Sequence, residues 1–276
     1  TQMTYRDVSY DVHERTKLNF WQAKGQGPRP LLVLIHGGGW LGRDKREVKD
    51  VSKYLAQGIS VAAINYRYSS IAPLPAPVLD AVRAIQFLRY KATDWNIDKN
   101  KIVLSGDSAG GCTSVLIACM PDQAKPDSED PVERESTRIQ GAAGAGAQVS
   151  VDPKQLEAWV GPQYAHHGMI VQAVGEDSKE EMLTNYAEHE AIFREFSAIN
   201  HLSQDDPPIF LAYNSDLTVP ATSFGHAIHH GLFGVKFKEK SKSVGHNNVH
   251  LAIGKAYTSQ YNSPTDFATR VLLKDK

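Results

Sequence analysis

Short unbroken apolar runs alternate with amphipathic stretches along most of the chain. Residues 31–35 (LLVLI) are apolar throughout and 59–64 (ISVAAI) nearly so, as expected of strands buried on both faces. Between them, residues 48–57 have helical spacing and end at Gly58, a residue suited to a helix C-cap. Residues 77–90 predict an amphipathic helix. Val78, Val82, Ile85 and either Phe87 or Leu88 share a face, Asp80, Arg83 and Arg89 project elsewhere, and Pro77 suits the first turn.

A third strand is expected at 101–105 (KIVLS), followed by a helix from Ala109 to about Met120. Residues 121–137 are rich in charge and proline and read as an exposed excursion. Residues 139–149 are mostly Ala and Gly, which fits a strand packed closely on a helix, or backbone lying near a site. Residues 151–183 carry no clear period, so a lid or excursion is placed within 121–183. Beyond it come a helix over 184–199, a strand at 208–213 (PIFLAY), a helix over about 220–231, a strand at 235–240 and a last helix near 264–273. Residues 4–20 predict an edge hairpin, with Val8, Tyr10 and Val12 on one arm and Leu18 and Phe20 on the other.

Repeated alternation of strand and helix implies a mostly parallel sheet, right-handed crossovers and helices on both faces. The hairpin adds an antiparallel N-terminal edge. One α/β domain is expected across residues 1–276.

Composition narrows the function. The 30 basic residues balance 31 acidic ones, so no excess charge points to a nucleic acid or an anionic membrane as partner. The longest apolar runs are far too short to span a bilayer. Cys112 and Cys119, if on one helix, are two turns apart, about 10 Å by the helical rise, which exceeds disulfide reach. They read as small core residues. Thr1 stands where an initiator methionine would, which is read as an exported chain whose signal peptide is removed; the alternatives are truncation and a cytoplasmic protein.

The strongest chemical signal is Gly106-Asp107-Ser108-Ala109-Gly110, between a predicted strand and a predicted helix. That context makes G-x-S-x-G a nucleophile elbow rather than a plain turn: the glycines permit the bend, and Ser108 is left exposed above a helix N-terminus. The second signal is His36-Gly37-Gly38-Gly39-Trp40, also directly after a strand. Consecutive glycines let main-chain amides approach a developing oxyanion. The amides of Gly38, Gly39 and Ala109 are the expected oxyanion hole. A phosphate cradle is the alternative, but neither a P-loop nor a dinucleotide-binding pattern is present. His36 is expected to anchor the loop. Trp40, beside it, lines the pocket or belongs to the core; Trp40 and Asp107 are taken as substrate-binding candidates.

A serine nucleophile needs a base, and the base an orienting acid, in the chain order Ser, Asp or Glu, His. Asp216 is the only carboxylate in the loop after 208–213, and His246 follows Gly245 after the strand expected at 235–240. Rivals are Asp205 or Asp206 for the acid and His250 for the base. Histidines 13, 166, 167, 189, 201, 226, 229 and 230 are left without a role. His226 and His230 have i, i+4 spacing but no intervening Glu of the H-E-x-x-H kind, so they are read as a helix face and no metal is assigned. The acidic residues between 127 and 135 lack EF-hand spacing and read as a solvated loop.

These pieces resemble the α/β-hydrolase esterases related to hormone-sensitive lipase and to the bacterial acetyl-xylan and feruloyl esterases. The resemblance rests on His36 to Trp40, Asn65-Tyr66-Arg67-Tyr68, Gly106 to Gly110, Asp216 with Val219-Pro220, and Gly245-His246. It implies the α/β-hydrolase fold and hydrolysis of short-chain carboxylic esters without a cofactor. Leu217 after the acid and Asn247 after the histidine depart from the usual proline and glycine. The expected substrate is a small-molecule or carbohydrate ester with an acetyl-like acyl group. Arylformamidase, peptidase and silent ligand-binding relatives are the alternatives on this scaffold.

Overall fold

A computed structural model describes residues 2–274. Eight strands form one sheet in the order β1-β2-β4-β3-β5-β6-β7-β8. The hairpin β1 (Tyr5–Ser9) and β2 (Lys17–Trp21) makes the antiparallel edge, as expected. The parallel part comprises β3 (Arg29–Ile35), β4 (Ser60–Ile64), β5 (Ile97–Asp107), β6 (Gly141–Ala145), β7 (Ile209–Tyr213) and β8 (Val249–Ile253).

Period-two alternation divides the strand side chains between two cores. Leu31, Val33 and Ile35 of β3, Ile102 and Leu104 of β5, and Ile209 and Leu211 of β7 enter the larger one. Leu32, Val103 and Phe210, the residues between them, enter the smaller one on the opposite face. The larger core is covered mainly by α2 (Ala76–Tyr90) and α3 (Ala109–Cys119), and the smaller by α1 (Ser52–Leu55) and α10 (Pro264–Leu273). All of α3 is buried. It approaches β6 so closely that a β-carbon on Gly111 would lie 3.1 Å from Gly144 Cα. That contact accounts for the run of Ala and Gly in the strand.

The region 151–183 holds α4 (Pro153–Val160), α5 (Gly168–Ala173) and most of α6 (Lys179–Thr184), with α7 (Tyr186–Glu195) after it. The helix expected at 48–57 shrinks to α1 preceded by a 3-10 turn at Lys45–Glu47. The helix expected at 220–231 is the short α8 (Phe224–Ile228). The strand expected at 235–240 is instead helix α9 (Leu232–Ser243), and the last strand is β8. Val235 and Phe237 alternate with lysines and imitate a strand, but Phe233, Phe237 and Ser241 are buried at helical spacing of four. Among the described residues no helix is long and apolar enough to cross a membrane.

Candidate active site

β5 ends one residue before Ser108 and α3 begins one residue after it. Ser108 has φ +48° and ψ −121°, outside the regions open to most L-residues, a conformation that costs on the order of 1–3 kcal/mol. Neighbouring backbone fixes it there. The Ser108 amide donates to the Ala145 carbonyl at 2.8 Å, and the Ser108 carbonyl accepts from the Cys112 amide at 2.8 Å. A β-carbon on Gly106 would come within 2.4 Å of Gly110 carbonyl carbon. Both glycines of the motif are therefore steric requirements of the bend.

The glycine loop after β3 lies directly against this elbow. A β-carbon on Gly37 would be 2.7 Å from the Asp107 carbonyl oxygen, and Gly38 and Gly39 take φ +94° and +63°. Among the described residues no hydrogen bond within the protein engages the amides of Gly38, Gly39 or Ala109. Three donors beside Ser108 are thus free for an incoming group. The loop is held from several sides. Tyr66 Oη donates to the His36 carbonyl at 2.8 Å, and its ring stacks on His36 at 4.4 Å. Asn65 Nδ2 donates to Asp44 Oδ2 at 2.8 Å, while its Oδ1 accepts from the Lys45 amide at 2.7 Å. The Asn65-Tyr66 pair is thereby explained as a brace. His36, depressed in pKa by burial, sits neutral under the loop, in the anchoring role expected of it.

Trp40 and Asp107 have contacts that the sequence left open. Trp40 is fully buried, and its indole Nε1 donates to Thr113 Oγ1 at 3.0 Å. It joins the loop to α3 from inside the core. Asp107 forms an ion pair with Arg43, which also bonds Glu47 at 2.8 Å.

The ring facing the serine is His229, the C-cap of α8: Ser108 Oγ lies 2.9 Å from His229 Nε2. His229 Nδ1 lies 2.8 Å from the Gly225 carbonyl oxygen. A ring nitrogen facing a carbonyl must donate, so Nδ1 carries the proton and Nε2 presents a lone pair to Ser108. Space for the ring comes from Gly146, at φ +58°, where a β-carbon would lie 3.3 Å from His229 Cδ2. His167, depressed in pKa by burial and then by the charge of His229, lies near enough to feel that ring.

His246 is elsewhere. It follows α9 and precedes β8, so it lies at the amino edge of a parallel sheet whose carboxyl edge carries Ser108. There it is buried, with Nε2 2.9 Å from the Asp206 carbonyl oxygen. Because α9 is a helix and not a strand, His246 falls at the edge opposite the one expected. Asp216 does follow β7 at the correct edge, but it is not brought to His246, the base expected to pair with it. Its Oδ1 accepts from the Thr218 amide at 2.9 Å, and its Oδ2 is 3.6 Å from His226 Nε2. His226 stacks on His230 at 4.6 Å, and Nε2 of each faces a main-chain carbonyl, of Asp216 and Thr218 respectively. Among the rivals, Asp205 and Asp206 precede β7 and His250 lies within β8. No histidine follows His250, so the loop after β8 has no base to offer, and no spacing in the sequence singles out His229.

Known proteins resemble this chain in sequence and fold. The probable carboxylic ester hydrolase LipM of Mycobacterium tuberculosis (strain ATCC 25618 / H37Rv) is 28% identical over 221 residues, covering 78% of this chain and 48% of that protein. Esterase LipC of the same strain is 24% identical, covering 78% of this chain and 52% of its own length. The chain spans about half the length of these curated relatives. The solved structure of an acetyl ester-xyloside bifunctional hydrolase from Caldicellulosiruptor lactoaceticus matches with TM-score 0.66 and 28% identity, over 86% of this chain and 76% of that one. A truncated carbohydrate esterase from gut microbiota shares the fold with TM-score 0.75 at 21% identity, over 99% of this chain and 97% of that one. These neighbours are α/β-hydrolase esterases, and the eight-stranded sheet here is the α/β-hydrolase fold. The BD-FAE family model matches residues 20–224, most of the chain, and the protein belongs to the BD-FAE family.

Proposed function

We propose that the protein is a serine carboxylesterase in which Ser108 is the nucleophile and His229 the base. The observation that carries this reading is the 2.9 Å separation of Ser108 Oγ from His229 Nε2, with free main-chain amides alongside. His229 Nε2 takes the hydroxyl proton as Oγ attacks the ester carbonyl carbon. The amides of Gly38, Gly39 and Ala109 hold the oxyanion. Collapse of the tetrahedral adduct expels the alcohol, which receives the proton from His229 Nε2. Water then attacks the acyl-serine, giving its proton to His229; the carboxylic acid leaves, and Ser108 regains its hydrogen. No step calls for a cofactor.

The favoured substrate is a short acyl ester, acetyl-like, on a larger alcohol such as a carbohydrate. Met169 of α5 packs beside the oxyanion loop, its Cβ 3.5 Å from where a β-carbon on Gly39 would lie. The likeness to an acetyl ester-xyloside hydrolase supports the sugar. In this reading the chain is one hydrolase domain, with α5 as part of the cover over the site. Ser108→Ala is expected to abolish turnover of p-nitrophenyl acetate with the fold intact, and retained turnover would sink the reading. Labelling of Ser108 by a fluorophosphonate separates an enzyme from a silent ligand-binding relative. Release of formate from an N-formylated aromatic amine, in preference to acetate from acetylated sugars, would favour an arylformamidase.

A further inference from the structure

We infer that His229 is oriented by main-chain carbonyl and by Gln148, and that Asp216 takes no part in orienting it. This rests on the esterase reading above and concerns what replaces the carboxylate of a Ser-His-Asp triad.

One hydrogen bond holds the ring itself, and two from Gln148 hold the backbone on either side of it. Nδ1–H donates to the carbonyl of Gly225, one turn earlier in the same short helix, at 2.8 Å. That carbonyl lies within α8 and also accepts from the His229 amide at 3.3 Å, so the ring and the backbone of His229 share one acceptor. Gln148, fully buried, donates from Nε2 to the Ile228 carbonyl at 2.7 Å and to the Gly146 carbonyl at 3.3 Å. It thereby ties the residue before His229 to the residue that makes room for the ring. No side-chain carboxylate is hydrogen-bonded to His229 among the described residues.

Asp216, by contrast, has a side chain that is 56% exposed and faces His226. The loop after β8 offers it no imidazole, since the chain has no histidine beyond residue 250. The segment carrying His229 also lies past residue 224, where the family match ends. A carbonyl sets the tautomer as a carboxylate would, but brings only a partial charge to the imidazolium formed during attack.

The test uses the full chain and p-nitrophenyl acetate, with kcat and KM measured for Asp216→Asn, Gln148→Leu and Ser108→Ala, and folding checked by circular dichroism. Asp216→Asn is expected to keep kcat within about threefold, whereas loss of an orienting triad carboxylate costs about 10⁴-fold. Gln148→Leu is expected to lower kcat about tenfold or more with KM nearly unchanged, the split expected for a group acting through the base. Gln148→Met repeats the measurement if the leucine variant does not fold. A loss of about 10³-fold or more in folded Asp216→Asn overturns the inference, as does unchanged kcat in both Gln148 variants. Turnover surviving in Ser108→Ala would instead mark failure of the esterase reading itself.

Discussion

A β-carbon placed on Gly110 would lie 2.0 Å from the Ile35 carbonyl oxygen. The first turn of α3 therefore touches the end of β3, and this contact stacks the glycine loop on the nucleophile elbow. The obstructing atoms are backbone, so no side-chain rotation relieves the overlap. Gly110→Ala is expected to lower unfolding free energy by about 3 kcal/mol or more in a urea titration, at the upper end of overpacking costs. A change below about 1 kcal/mol would mean the two segments separate easily.

Gly146 supports the site rather than the core. Its φ of +58° makes a β-carbon unfavourable by about 1–2 kcal/mol, and that carbon would press on His229 Cδ2 at 3.3 Å. Gly146→Ala is expected to reduce kcat about tenfold or more, because small misplacements of a reacting group are costly. Steady-state kinetics check this, and full kcat would show that the imidazole position tolerates the extra methyl group.

Trp40 separates a core residue from a pocket residue. Its buried N–H donates to Thr113 Oγ1, whose own hydroxyl donates to the Ala109 carbonyl at 2.8 Å. Trp40→Phe leaves Thr113 without that donor and is expected to cost about 1–3 kcal/mol of stability. The preference between acetyl and butyryl p-nitrophenyl esters should stay as in the parent. A shifted acyl preference at unchanged stability would put Trp40 in the pocket.

The elbow and the glycine loop were legible in the sequence because their requirements are local. Gly106, Gly110 and Gly37 are forced by close backbone contacts at strand ends, and Gly38 and Gly39 by their positive φ, requirements that a residue pattern reports directly. The alternation of strands and helices was legible for the same reason up to α3, whereas α4, α5 and α6 fall where the sequence carries no clear period. The partner of Ser108 was not legible. Its contact with Ser108 spans 121 residues of chain and joins a helix C-cap to a strand end, a pairing that no spacing rule encodes. The misplacement of His246 begins at α9, where Val235 and Phe237 satisfy a period of two while Phe233, Phe237 and Ser241 satisfy the helical one. Tertiary burial decides between them, moving the final strand to 249–253 and His246 to the far edge.

At that far edge, Asp206 gives a pH dependence with a definite sign. Burial raises its pKa, and hydrogen bonds from Ser203 only partly oppose this. A carboxyl with a raised folded value binds more protons folded than unfolded between the two values, so its contribution falls as pH rises. That contribution is whole below the ordinary carboxylate value near 4 and is lost as pH climbs through the raised one. Parent stability relative to Asp206→Asn should therefore decline over this window in urea titrations run at successive pH values. A difference that grows with pH would reverse the assignment.

The most direct measurement is kcat/KM on p-nitrophenyl acetate for His229→Asn beside His246→Asn, each confirmed folded at 25 °C. Loss of about 10³-fold or more in His229→Asn is expected, the scale set by removing a triad histidine. His246→Asn, altered at the opposite edge of the sheet, should stay within about tenfold of the parent. Near-parent activity in folded His229→Asn, with activity lost in folded His246→Asn, would contradict the pairing of Ser108 with His229.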